Sequence, residues 1–488
     1  MPYLLWSLIF SPLLGLGIAV EPVSLSYEQA MDITLKQNPE LIVAEANVAA
    51  ARGGWISARG TFDPTLQGSW GHTNTVNQDF FNTLGLFIDS ESVDTTWAAT
   101  MSGYLPTGTS LSLNWDNREQ QSAASYFSPE TPEQVVDSES QQAFRSAMTM
   151  SVNQPLLQGF RTSYNLRGVI AAKRSLTSAE INALDQRQST LSDTATAYHN
   201  LHYQAQLTAI AEETLHITSE ERRIVIARVE QGDVADVELY RVEAAALEAK
   251  SQLLSAQNAQ TSAAESLLLL LGMPPNTPLT LTPPDEFNFT DPLNIDQLIE
   301  YASTHNPNLN NLRIAEDLAE STLRDARHAR LPELAGIGRY TLYGQEENFS
   351  AATDEMLSGD LRGWYLGAEA TISLGNRTDR GSYEQSLAEL QVAQVNREAA
   401  ERGIEQQVRA QVRAIRSAQL QIELGEANLR AAEQTLTADQ ALRDAGRALE
   451  KDVLESIRDV RNSRTNLERS RTDYHLAIVA LQRLKGEL

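Results

Sequence analysis

The chain has 488 residues, no cysteine and a formal net charge of −25. That charge disfavours nucleic acid and anionic lipid headgroups as partners and suits an acidic, solvated surface or a passage that draws cations. The missing thiols exclude disulfides, thiolate metal sites and a lipidated N-terminal cysteine. Hydrophobic residues reach 42% but aromatic ones only 6%, a balance that favours long helices with narrow apolar seams over a bulky globular core.

Residues 3–20 form an uncharged apolar run with Pro12 and the small residues Gly15, Gly17 and Ala19 near its end, the pattern of a signal peptide (1–19) cleaved near Ala19. The first basic residue is Lys36, an unusual n-region, and a membrane anchor is the rival reading of the run. Beyond Val20 no second uncharged apolar stretch is long enough for a membrane helix, so a membrane crossing by this chain has to be a β-barrel.

From Ser24 to Arg59 the pattern is helical, opened by a capping box at Ser26 and Gln29 and interrupted at Asn38-Pro39. From Thr65 to Pro155 the period changes to two: Trp97, Ala99 and Met101, then Leu111, Leu113 and Trp115, then Met148, Met150 and Val152. The polar, acidic stretches 74–92 and 117–142 read as exposed loops between these strands. Trp70, Trp97, Trp115 and Trp364 fall in proposed strands, either as an interfacial aromatic girdle or through the plain strand preference of Trp. A helix of some 65 residues follows to Glu230, about 100 Å at 1.5 Å per residue. Gly232 turns the chain, and a second helix returns to Leu271 ahead of a Pro-rich linker, 273–292.

Then the pattern restarts. Leu25 through Asn38-Pro39 is echoed by Leu293 through Asn306-Pro307 at an offset of 268, which still holds for Pro64 against Pro332. Gly159 against Gly375 and Asp236-Val237 against Asp452-Val453 share an offset of 216, shorter by 52 because the second strand region, 334–374, is shorter. The chain is thus an internal duplication, 24–272 and 293–488. Each half runs helix, strands, long helix, tip, return helix, with tips near 232 and 446.

Nucleotide-binding, zinc-protease and hydrolase signatures are absent from the sequence, and no enzyme, cofactor or metal reading emerges. His199 and His202 share a helix face without a third ligand nearby. On the last helix Val453, Ile457, Val460, Leu467, Tyr474, Ile478 and Leu481 form a three–four seam that packs helix on helix. Arg464 and Arg471 occupy seam positions and call for carboxylates on a neighbouring helix, or for a ligand. Asp452 and Glu455 lie three apart on one face just past Gly446. They suit a helix N-terminus, and in an assembly about an axis they would form acidic rings that constrict and select cations.

Two L…A…N-P-x-L openings, Q-P-L-L-x-G after the first strands and D-V-L-E at 452–455 make the chain resemble the TolC-like outer-membrane efflux proteins over nearly its whole mature length. The resemblance implies an α+β membrane protein: a homotrimer whose strands share one barrel in the outer membrane, continued by a long periplasmic α-helical tunnel. It implies an exit duct for efflux or type I secretion that meets outer-membrane lipid, a periplasmic adaptor protein and an inner-membrane transporter, without cofactor. Asp452 and Glu455 match the entrance constriction, with Glu in place of a second Asp. Asp236 matches a closed-state helix contact, and Gly232 and Gly446 match the tips that adaptors grip. Where the family has an Arg and a Tyr in its closing network, this chain has Ala448 and Arg443, which leaves Arg443 or Arg447 to substitute. The first tip is also two residues shorter from Gly to Asp. The family barrel takes four strands per chain, twelve in all, and the hairpin 95–116 is additional: it either widens the barrel or packs elsewhere. A fibrous periplasmic or surface protein built of helical hairpins is the competing reading.

Overall fold

The computed structural model describes residues 23–81, 86–128, 131–283 and 294–488. The leader assigned to 1–19 and the end of the Pro-rich linker lie outside the described residues. Two compact units emerge, one from the described residues up to Asn47 with Ile181–Asn310 and Ala399–Leu488, the other from Val48–Glu180 and Asn311–Glu398. Each unit draws on both halves of the duplication. No helix among the described residues is long and apolar enough to cross a membrane.

In the first unit, β1 (Val23–Leu25) leads into α1 (Tyr27–Gln37). The capping box is present: the Ser26 hydroxyl accepts from the Gln29 N–H at 3.2 Å, and the Gln29 amide oxygen accepts from the Ser26 N–H at 3.0 Å. Asn38 takes extended backbone and ends the helix ahead of α2 (Pro39–Arg59). Its side chain donates to the Leu270 carbonyl at 2.8 Å, so the bend is fastened as well as broken. The next helices are short α3 (Thr162–Asn165), long α4 (Arg167–Glu230), which extends into both units, and the returning α5 (Asp236–Leu270). At Gly272 the chain reverses with φ +68, and an added Cβ would sit 2.7 Å from the Gln37 carbonyl, so both conformation and space require glycine there. β6 (Leu279–Leu281) then pairs in parallel with β1. The Tyr198 hydroxyl of α4 donates to the Thr282 carbonyl at 2.6 Å beside that pair.

The second half repeats the plan with α6 (Ile295–His305), α7 (Pro307–Ala329), α9 (Arg377–Asp444) and α10 (Glu450–Lys485), and carries in addition the short α8 (Phe349–Ser358). Two parallel cores result. Leu25, Ala30, Tyr198, Leu201, Leu267 and Leu271 form one; Ala302, Leu309, Val408, Ile415, Ile478 and Leu481 are members of the other. In each, an opening helix, a long helix and a return helix meet. All seven apolar seam positions of α10 are buried. Arg464 pairs with Glu213 of α4 and, at 2.9 Å, with Glu433 of α9, and Arg471 reaches Glu426 at 3.5 Å. The seam arginines therefore serve helix–helix ion pairs.

The second unit is built on one antiparallel sheet, ordered β2 (Thr65–Phe81), β3 (Leu86–Tyr104), β4 (Ser110–Ser128), β5 (Thr131–Pro155), β7 (Glu333–Glu346), β8 (Arg362–Thr371). The register sorts side chains by face. Leu66, Met101, Leu113, Met150, Tyr340 and Trp364 lie in one row across all six strands, and Trp70 faces Trp97 four residues further on. Trp115 lies in the intervening row beside Met148 and Leu342, so all four strand tryptophans share this apolar face. The opposite face carries Asp94, Asn114, Asp116, Arg118 and Arg145, with Arg118 paired to Asp94 at 2.8 Å. On β7 the apolar rows run from Leu334 to Leu342, close to the roughly 9–11 residues with which a tilted strand crosses hydrocarbon.

The expectation of loops at 74–92 and 117–142 is corrected by this sheet, because the strands continue through most of both stretches. A hairpin extends by backbone pairing, which polar side chains do not interrupt, and cross-strand pairs support it. Asn74 donates to Glu91 at 3.0 Å, Gln78 to Asp89 at 2.7 Å and Gln142 to Glu119 at 2.9 Å. Immediately beyond Trp70 and Trp97 the same face continues with His72, Thr95 and Glu119, so the apolar band ends near those tryptophans.

A helix unforeseen in the sequence, α8 (Phe349–Ser358), lies on the apolar face at that limit, capped by Asn348, which accepts from the Ala351 N–H at 2.9 Å. The Phe349 ring sits 5.4 Å from Trp97 and 6.4 Å from Trp115. A Cβ at Gly344 would run into the Ala352 carbonyl, so helix and strand backbones are in contact there. Gly344→Ala is expected to push α8 off the sheet at a cost of about 1–3 kcal/mol. Limited proteolysis of the detergent-solubilised protein checks this, as faster cleavage between 347 and 361.

Candidate functional site

The two hairpin tips are built alike. The Gly232 N–H donates to Val229 and the Asp233 N–H to Arg228, at 3.0 and 2.9 Å; the Gly446 N–H donates to Arg443 and the Arg447 N–H to Leu442, at 2.9 and 2.8 Å. Both glycines are left-handed, at φ +77 and +72, as this helix ending requires. Both are exposed, with open space where a Cβ would stand.

Around them the α4–α5 and α9–α10 hairpins exchange charges. Arg443, only 4% exposed, pairs with Glu221 of α4, with Asp444 at 2.9 Å and with Glu450 of α10 at 3.4 Å. Arg228 of α4 reaches Glu450 from the other side at 3.4 Å. Burial opposes the Arg443 charge, but Glu221, Asp444 and Glu450 together outweigh it and hold the guanidinium above its ordinary value. Glu450 is pushed up by burial and by Glu221, against the pull of Arg443 and Arg228. One buried guanidinium thus serves two buried carboxylates, and desolvation beside Glu221 keeps Glu450 above the usual carboxylate range even with Arg443 and Arg228 upon it. Arg443, an expected substitute in the closing network, thus ties the two hairpins of a single chain. Its partners Glu221 and Glu450, and the Arg228 that shares Glu450, escaped the sequence reading.

The other tip residues are placed differently. Asp452 accepts from the Leu449 N–H at 3.0 Å, capping α10. Glu455 is exposed one turn on, beside the buried Ser456 and Ile457. Asp236, the first residue of α5, and Arg447 are exposed too. Among the described residues no ion pair or side-chain hydrogen bond engages Glu455, Asp236 or Arg447.

Away from the tips, His199 stacks on His475 of α10, ring centroids 4.8 Å apart and planes at 7°, with the Tyr27 and Tyr198 rings close by. Burial, then His475 and His202, lower its pKa to about 3, which keeps it neutral and in a packing role.

A sheet apolar on one face and polar on the other over a membrane-crossing width has the pattern of an outer-membrane β-barrel wall. The chain belongs to the outer membrane efflux protein family, whose model matches residues 30–273 and 298–487. Among curated proteins it is similar to the outer membrane protein TolC of Vibrio cholerae, 28% identical over 195 residues, 40% of this chain and 44% of that one, so the match spans less than half of the relative. Among solved structures it resembles the outer membrane protein VceC of Vibrio cholerae, with 16% identity, TM-score 0.66 and coverage of 94% of this chain and 96% of that one. It also resembles the CmeC outer membrane channel of Campylobacter jejuni, with 15% identity, TM-score 0.67 and coverage of 94% and 85%. The family is one of outer-membrane transport proteins, with no enzymatic role.

Proposed function

We propose that three copies of this chain form an exit duct of an efflux or type I secretion system. The apolar band of the sheet meets outer-membrane lipid and the polar face lines a water-filled lumen. The α4–α5 and α9–α10 hairpins extend into the periplasm, where their tips meet an adaptor protein that couples the duct to an inner-membrane transporter. The observation that carries this reading is the division of the sheet into an apolar and a polar face over a membrane-crossing width. A fibrous structural protein has no use for such a face.

In the closed duct, the Arg443 network fastens each chain's two hairpins. Exposed Asp236 and Arg447 are free to reach the neighbouring copy, and exposed Gly232 and Gly446 offer adaptor contacts. Trp70, Trp97, Trp115 and Trp364 mark the lipid band. Asp452 and Glu455, threefold repeated, form the acidic entrance. Asp452 also caps α10, so the two roles coexist. In planar bilayers the wild-type protein is expected to form cation-selective pores, and Asp452→Ala with Glu455→Ala to lower that selectivity and change conductance several-fold. Unaltered conductance and selectivity would remove the entrance role; absence of pores would remove the duct.

A further inference from the structure

The sheet of the second unit has two free edges. Among the described residues β2 has a ladder only to β3, and β8 only to β7. Both cross the apolar band, where an unpaired N–H or carbonyl facing lipid costs several kcal/mol. The edges therefore have to be joined. Six strands cannot close on themselves, because even eight leave an interior just wide enough for side chains and the smallest membrane barrels have about that number. The joining strand comes from another copy of the chain. Direction permits it: β2 leaves the end of α2 and β8 returns to the start of α9, so β8 against the next copy's β2 is antiparallel, like every other ladder in the sheet.

β3 and β4 belong to that wall. Register runs unbroken from Thr65↔Ser102 to Phe81↔Leu86 on one side of β3, and from Tyr104↔Ser110 to Phe87↔Phe127 on the other. Met101 of β3 and Leu113 of β4 fall in the same apolar row as Leu66 of β2 and Trp364 of β8, so the additional hairpin contributes to the lipid band as its neighbours do.

We infer that β8 of each copy pairs with β2 of the next, so that three copies close one barrel of eighteen strands rather than twelve. The number three rests on the duct reading above; the six strands per copy do not. Since barrel diameter grows roughly in proportion to strand number, the lumen would be about 1.5 times as wide as that of a twelve-stranded barrel, and about 2.3 times its area.

The absence of native cysteine makes disulfide trapping clean. One cysteine replaces Leu66, Gly68 or Trp70 on β2 and a second replaces Trp364, Leu366 or Ala368 on β8, all on the apolar face. Oxidation in outer-membrane vesicles is expected to give, for at least one pairing, a covalent trimer that collapses on reduction. A separate variant, Gly68→Cys with Met148→Cys, joins β2 to β5 within one chain. Those positions are separated by β3 and β4, about 14 Å at some 4.8 Å per strand, so no disulfide should form. Formation of that intrachain disulfide, or a count of twelve strands in the trimer by electron cryomicroscopy, would overturn the eighteen-stranded barrel and leave the duct intact. A covalent dimer as the largest product, or no oligomer and no pore, would overturn the threefold duct and with it the count of eighteen.

Discussion

Arg443→Met is expected to loosen both hairpin tips and leave the rest of the molecule folded. The substitution strands Glu221 and leaves Glu450 to Arg228 alone, two carboxylates whose side chains are only 6% and 4% exposed. Removing one partner of a buried ion pair typically costs about 3–5 kcal/mol, most of it from the charge left behind. At 1.4 kcal/mol per decade, amide hydrogen exchange around residues 218–232 and 440–455 should accelerate by roughly two to three and a half orders of magnitude. In bilayers the proposed closure at the tips predicts that the same variant spends more time conducting. The triple variant Arg443→Met, Glu221→Gln, Glu450→Gln separates loss of attraction from stranded charge: it should recover most of the exchange protection. Arg443→Lys should recover less than half, since a single ammonium cannot serve Glu221, Asp444 and Glu450 in one geometry. Unchanged exchange at the tips of Arg443→Met would show that this network is not what holds them.

The second large effect depends on pH. His199 is 2% exposed, and its pKa is lowered from 6.5 to about 3 by burial first, then by His475 and His202. Above pH 6.5 the ring is neutral whether the chain is folded or unfolded, and it contributes no slope. Between 6.5 and about 3 the unfolded chain takes up a proton that the folded chain refuses, so stability falls as pH falls, by about 1.4 kcal/mol per unit. Below about 3 the loss stops growing. At pH 4 the cost is about 3 kcal/mol, and His202 and His475, both also lowered by burial, add to it in the same direction. Tyr27, Tyr198 and Tyr474 surround the pair, while Glu468, acting on His202, opposes the trend without reversing it. His199→Phe keeps an aromatic ring against His475 and removes the titration. Urea-dependent hydrogen exchange across residues 190–205, measured at pH 7 and pH 4, should show the variant losing about 3 kcal/mol less than wild type. Equal losses in the two proteins would assign the acid sensitivity to other groups.

Much of the helical part is legible locally. Ser26 with Gln29, Asn38-Pro39 and the left-handed tip glycines each act within a few residues, and the α10 seam repeats a spacing that only a packed helix explains. The Arg443 cluster was beyond that horizon, because Glu221 and Glu450 are ordinary helix acids until hairpins 222 residues apart bring them together. The strand ends were missed for a different reason. Polarity marks where a strand leaves an apolar layer, and it does not mark where backbone pairing stops. For α8 the short run between β7 and β8 carried too few turns for a helical period to stand out, and its capping Asn348 is a common loop residue. Asp452 shows a residue compatible with two roles at once: the cap is visible within one chain, and a ring takes shape only with three.

The ladder between β5 and β7 has a consequence in time. Every other ladder of the large sheet joins strands that follow one another in the sheet order and in the chain. This one pairs residues as far apart as Arg145 and Gln345, 200 positions, and Thr149 and Thr341, 192. Local meanders form early, and contacts of such separation wait on the closure of a long loop. The four strands β2–β5 therefore form first and hold an unpaired edge open while the α4–α5 hairpin, the linker, α6 and α7 are still being delivered. α8 then locks the joint from β7's side, across Gly344. Until it does, that edge stands open beside the free edge of β2 as a template for wrong pairing.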